Sequence, residues 1–152
     1  MPDFAHSVTA WARVAFKVRS RLEAAITATQ NLGIPTWHYG HEPPNPFATS
    51  VAKYFQNSVR EATLLKHCAG GIVFLPGAAG TVQEIFQDAC ENYYSERSTL
   101  APMVLVGDHY WTDVTPAWPL LESMAQGRAM HQAIHLVDDI DEAVTRLTTL
   151  GD

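Results

Sequence analysis

Gly71-Ile72-Val73-Phe74-Leu75-Pro76-Gly77-Ala78-Ala79-Gly80-Thr81-Val82-Gln83-Glu84 decides the fold. Ile72 to Leu75 is a short unbroken apolar run, the pattern of a parallel strand covered on both faces. Pro76 has no N–H for a central ladder, so the strand should stop there. Gly77 and Gly80 admit positive φ and place no Cβ between the backbone and a ligand. Thr81 stands where a helix would begin, and Ile85, Phe86 and Ala89 continue at helical spacing. A helix start offers free N–H groups and a positive dipole end, which suits a phosphate. Glu84 falls about one turn in, where a carboxylate beside a bound phosphate is electrostatically awkward, and that separates it from an ordinary surface glutamate. Strand–glycine turn–helix junctions also occur in many α/β proteins that bind nothing, so spacing alone leaves both readings open.

Outward from that stretch, the 152 residues suit a single domain spanning 1–152, large enough to bury a core. The net charge of −6 argues against general nucleic-acid or anionic-membrane binding, while permitting a local cationic pocket for a small anion. Cys68 and Cys90 fall in apparent helices without metal-ligand spacing and read as small buried hydrophobes of a reducing cytoplasm. His38 and His41 have no third ligand nearby, so no metal site is expected. Met1-Pro2-Asp3-Phe4 has no basic segment leading into an apolar core, and no apolar run reaches membrane-spanning length. The expectation is a cytoplasmic protein.

Ser7 reads as the N-cap of a helix running to about Asn31, with an apolar stripe of Trp11, Val14, Ala15, Val18, Leu22, Ala25 and Ile26, stopped at Gly33. Ile34 to Tyr39 reads as a strand, and Gly40 to Pro46 as a stiff loop at the carboxyl edge of the sheet, where ligands bind. Ala48 to Lys66 reads as a second helix. Lys53, Asn57 and Arg60 share one of its faces, and Arg60 could hold an anion or simply pair with a nearby glutamate. Beyond the central stretch come a helix to about Tyr94, a strand Pro102 to Val106, and a loop Gly107 to Trp111. A helix Pro116 to Gln126, a strand Ala133 to Val137 and a helix opened by Asp139 and Glu142 complete the chain. The alternation implies an α/β fold, a doubly wound parallel sheet flanked by helices. Because the chain opens on a helix, the first strands of such a fold are expected to be lacking.

Pro76-Gly77-Ala78-Ala79-Gly80-Thr81-Val82-Gln83-Glu84 resembles the PGGxGTxxE signature of the LOG ("lonely guy") family, Rossmann-like nucleotide phosphoribohydrolases often labelled "lysine decarboxylase". Asn57-Ser58-Val59-Arg60-Glu61 resembles that family's second motif, an Arg-Lys pair, and Tyr110-Trp111 sits where the family has an aromatic pair. The resemblance covers roughly Ile34 to Asp113. Three features depart from it. Ala78 replaces the second glycine, Glu61 replaces the lysine with Arg60 one residue further from the signature, and the family's early glycine-rich loops are not found.

What the resemblance implies is hydrolysis of the N-glycosidic bond of a nucleoside 5′-monophosphate through an oxocarbenium-like transition state. Gly77, Ala78, Ala79, Gly80 and Thr81 would hold the phosphate, Glu84 would serve the ribose or the water, and Arg60 would be the cationic partner. Asn57 and Glu61 would support them. Neither metal nor cofactor is implied, and a homodimer is. A true lysine decarboxylase needs a Schiff-base lysine for pyridoxal phosphate, and Lys17, Lys53 and Lys66 all fall on expected helices in no such setting. A non-catalytic nucleotide or molybdenum-cofactor carrier of the same superfamily is the competing reading, favoured by Ala78 and the missing loops. A dinucleotide oxidoreductase would want GxGxxG, and the spacing here is GxxG.

Overall fold

Ser7 caps the first helix as its sequence predicts: its backbone is extended and its Oγ accepts the Ala10 N–H at 3.2 Å. The computed structural model describes residues 7–36 and 45–149. The chain divides into two units, Met1–Leu64 and Leu65–Asp152.

In the first unit α1 spans Val8–Arg21 and α2 spans Glu23–Ala28. The expected single helix to Asn31 is therefore broken at Leu22. There the N–H turns to Arg19 O at 2.9 Å, a tightened final turn, and the Ser20 hydroxyl draws on Lys17 O at 3.0 Å. Of the expected apolar stripe Ala15 is buried, whereas Val14, Val18 and Leu22 are exposed. Gly33 does not cap a helix. It belongs to β1, Leu32–Gly33, which pairs in parallel with β2, Ser50–Val51. The expected strand from Ile34 is not formed at Ile34, Pro35 or Thr36; Trp37, His38, Tyr39 and the loop residues through Pro44 lie outside the described residues. The second helix is shorter than expected and α3 spans Asn57–His67. Ser50 and Val51 are drawn into strand pairing instead, and the N–H groups of Thr49 and Ser50 both reach Asn31 O, at 2.8 and 3.1 Å.

The second unit matches its sequence closely. It comprises β3 (Ile72–Phe74), α4 (Ala79–Tyr94), β4 (Met103–Val106), α5 (Ala117–Ala125), β5 (Ile134–Val137) and α6 (Ile140–Thr149). The three strands form a parallel sheet in the order β3-β4-β5, with Val73 opposite Val104 and Val104 opposite His135. All four residues of β4 are buried, because alternate side chains enter different cores. Met103 and Leu105 join Phe74, Ile85, Trp111 and Leu121, while Val104 and Val106 join Val137 and Ala143. Helices thus cover both faces of this sheet, as a doubly wound fold requires. Asp139 starts α6 by accepting the N–H groups of Asp141 and Glu142, at 2.6 and 3.2 Å. Glu142 pairs with Arg146 at 3.0 Å.

Two details frame the site. Asn92, buried near the end of α4, donates to Ala101 O at 2.9 Å and accepts from Ala101 N at 3.1 Å. Beyond β4 the expected loop Gly107–Trp111 is helical, running into a π-helix over Tyr110–Val114. Among the described residues no helix is long and apolar enough to cross a membrane.

Candidate functional site

The turn between β3 and α4 is built by one close approach. A Cβ on Gly77 would stand 2.1 Å from Thr81 Oγ1 and 2.8 Å from Thr81 Cβ, so only glycine lets the threonine fold back over the turn. Positive φ is not the reason, contrary to the sequence expectation for Gly77 and Gly80. Among the described residues the positive-φ glycines are Gly71, Gly107 and Gly127. A Cβ on Gly80 would meet nothing within 4 Å. Ala78 is the N-cap of α4 with φ −97° and ψ −156°, extended backbone open to any residue. Alanine in place of the signature's second glycine therefore costs this turn nothing.

The start of α4 is open. Ala78 supplies no side-chain cap, and the first turn holds no acidic residue. Among the described residues no backbone acceptor meets the N–H groups of Ala78, Ala79 or Gly80, and these three residues are exposed. Unpaired donors at the positive end of a 16-residue helix are the chemistry that can receive an anion. Thr81, half-buried, brings its hydroxyl to the same turn, and Glu84 lies half-buried one turn further along.

Asn57, Arg60 and Glu61 form a group of their own on α3, in the first unit. The Asn57 side-chain oxygen accepts from Arg60 Nε at 3.2 Å, and its amide donates to Glu61 Oε1. Arg60 and Glu61 are 8% and 2% exposed. Buried charges need such partners, and the asparagine fixes the direction of both. The structure thus joins these three residues to one another, and joins Gly77 to Thr81.

Two residues were given no role by the sequence: Tyr110, noted only as part of an aromatic pair, and Asp88. Tyr110 donates its hydroxyl to Gly77 O at 2.6 Å, across a separation of 33 residues. Its position after β4 and the adjacent Trp111 were the available signal. Asp88, on α4 one turn beyond Glu84, is 5% exposed, and its Oδ2 has no partner among the described residues. Burial, with a further push from Glu91, raises its pKa to about 7, and burial together with Asp88 raises that of the Cys68 thiol. The signal there was a carboxylate within an apolar stripe: Ile85, Asp88, Ala89 and Asn92 are the buried residues of α4. Among the described residues no group of side chains is arranged to hold a metal ion.

No curated protein matches this chain. The model of the family described as "Possible lysine decarboxylase" matches residues 19–147. That span takes in α3 with its Arg60 cluster, the glycine turn and the sheet that carries it, and the chain belongs to this family, the LOG family, with a Rossmann-like α/β fold.

Proposed function

We propose that this chain hydrolyses a nucleoside 5′-monophosphate to free base and ribose 5-phosphate. Water adds to C1′ as the C1′–N bond breaks, and the base leaves with a proton. The open, uncapped start of α4 carries the reading. The N–H groups from Ala78 to Gly80 and the Thr81 hydroxyl suit the phosphate. Glu84, one turn inward, is the carboxylate that holds the ribose, orients water or stabilises the cationic sugar. By its likeness to the family's Arg-Lys motif, Arg60 is assigned the cationic role, and within α3 its guanidinium is held by Asn57 and that asparagine in turn by Glu61. With this reading go a homodimeric state, a cytoplasmic location and no requirement for metal or cofactor.

Two observations support it over its rivals. Ala78 was one argument for a non-catalytic carrier, and its extended backbone weakens it, since alanine strains nothing there. Decarboxylation through a Schiff base needs a lysine whose ammonium is desolvated enough to lose its proton, whereas Lys17, Lys53 and Lys66 are exposed.

The test is release of base and ribose 5-phosphate from a panel of purine and pyrimidine monophosphates. Glu84→Gln should lower kcat by at least about a hundredfold, with nucleotide affinity within about twofold of the parent. Undiminished turnover in that variant would sink the assignment. Saturable binding without turnover by the parent chain would favour the carrier.

A further inference from the structure

The cradle proposed for the phosphate has a weak point, and the structure holds it with one side chain. Gly77 and Ala78 share a peptide plane that glycine leaves free to rotate. One orientation offers an anion the Ala78 N–H. The reverse orientation offers it the Gly77 carbonyl oxygen, which repels it. In a trans peptide the two groups point in opposite directions, so whatever fixes the carbonyl also fixes the N–H. The described chain has no cis peptide, and the group that holds the Gly77 carbonyl is the Tyr110 hydroxyl, at 2.6 Å.

Tyr110 is itself held from several sides. Gly107, at φ +105°, turns the chain directly after β4. The next residues enter the π-helix, in which Thr115 N–H reaches Tyr110 O at 2.8 Å. Such wide turns recur at functional sites because they re-aim a side chain. Trp111, fully buried, donates its indole N–H to Val106 O at 3.0 Å and packs edge-on against the Tyr110 ring, with centroids 4.9 Å apart. Pro76 comes within 3.5 Å of where a Gly107 Cβ would stand, so the base of the π-helix and the glycine turn are immediate neighbours.

We propose that Tyr110 is a positioning residue for phosphate recognition, its hydroxyl holding the Gly77–Ala78 peptide with the N–H presented to the anion. This rests on the phosphoribohydrolase reading of the turn. It gives Tyr110 a role that ends at the phosphate: the ribose and base are unaffected by it.

Tyr110→Phe tests it, removing one oxygen and keeping the ring against Trp111. Purine and pyrimidine nucleoside 5′-monophosphates and their parent nucleosides are titrated by calorimetry on Glu84→Gln and on Glu84→Gln/Tyr110→Phe, so that nothing is turned over. The preference for a monophosphate over its nucleoside should fall roughly tenfold in the double variant, the value of one well-formed hydrogen bond, with nucleoside affinity unchanged. A general loosening of the fold would weaken both ligands together and overturn the proposal, as would an unchanged preference. If Glu84→Gln itself shows no preference for any monophosphate, the phosphate site fails, and the functional reading fails with it.

Discussion

Two glycines three residues apart do different work. Gly77 is required by packing, since any Cβ there collides with Thr81. Gly80 is required by neither packing nor backbone, since its Cβ would enter open space and its φ is not positive. On the function proposed above, what remains for Gly80 is room for the phosphate. Gly77→Ala should therefore destabilise the protein by about 1–3 kcal/mol, an overpacking cost. Gly80→Ala should leave stability unchanged or raise it by up to about 1 kcal/mol, since alanine suits a helix better. Yet Gly80→Ala should weaken nucleoside monophosphate binding. Urea denaturation and ligand titration of the two variants separate these outcomes, and full affinity in Gly80→Ala would remove that residue from the phosphate site. The sequence marks both glycines as special, but the positive φ it allows is used at neither, and the packing need at Gly77 is invisible because a side chain folding back four residues later leaves no trace in spacing. Arg60 was half legible: its spacing from Asn57 is visible, but its burial is not.

At the scale of the element, α4 serves two purposes along its length. Its first turn is bare for a ligand, and its buried face carries Asp88 among Ile85, Ala89 and Asn92. Burial keeps that carboxyl protonated up to a pH of about 7, well above the ~3.9 of an unfolded aspartate. Between those values the folded chain binds a proton that the unfolded chain has lost. Stability from this residue is therefore full below pH ~4, declines as pH rises towards 7, and is flat beyond. Asp88→Asn has no such slope. Denaturation at pH 5 and pH 8 should show the variant gaining on the wild type by roughly 1–2 kcal/mol at the higher pH. A constant difference between the two would mean that Asp88 is ionised throughout. Which elements were readable follows from their length and flanks. β4 announces itself as a four-residue apolar run, β5 as one interrupted only by His135, and α5 stops just before Gly127. β1 and β2, of two residues each, carry no periodicity, and the helical pattern of α1 runs on through a break made by local hydrogen bonds at Leu22 and Ser20.

For the whole molecule, the second unit was legible almost throughout, because a sheet buried on both faces leaves a strong apolar signature. The first was legible mainly as helix, because its described strands have two residues each and are tied by hydrogen bonds around Asn31 and Thr49. Long-range ties of that kind, like the bond from Tyr110 to Gly77, are where reading along a sequence stops. The clamp of Asn92 on Ala101 has a practical consequence. It welds the exit of α4 to the entrance of β4, so strand register does not depend on the eight-residue excursion between them. The tip of that excursion, residues 96–99, is exposed. A short glycine-serine tag spliced after Ser98 should lower the melting temperature by less than about 3 °C, since lengthening a surface loop costs little. In Asn92→Ala the same splice should cost more than the two changes made singly. The excursion is then a natural port for a label or a tether, and the asparagine is the latch that keeps it one.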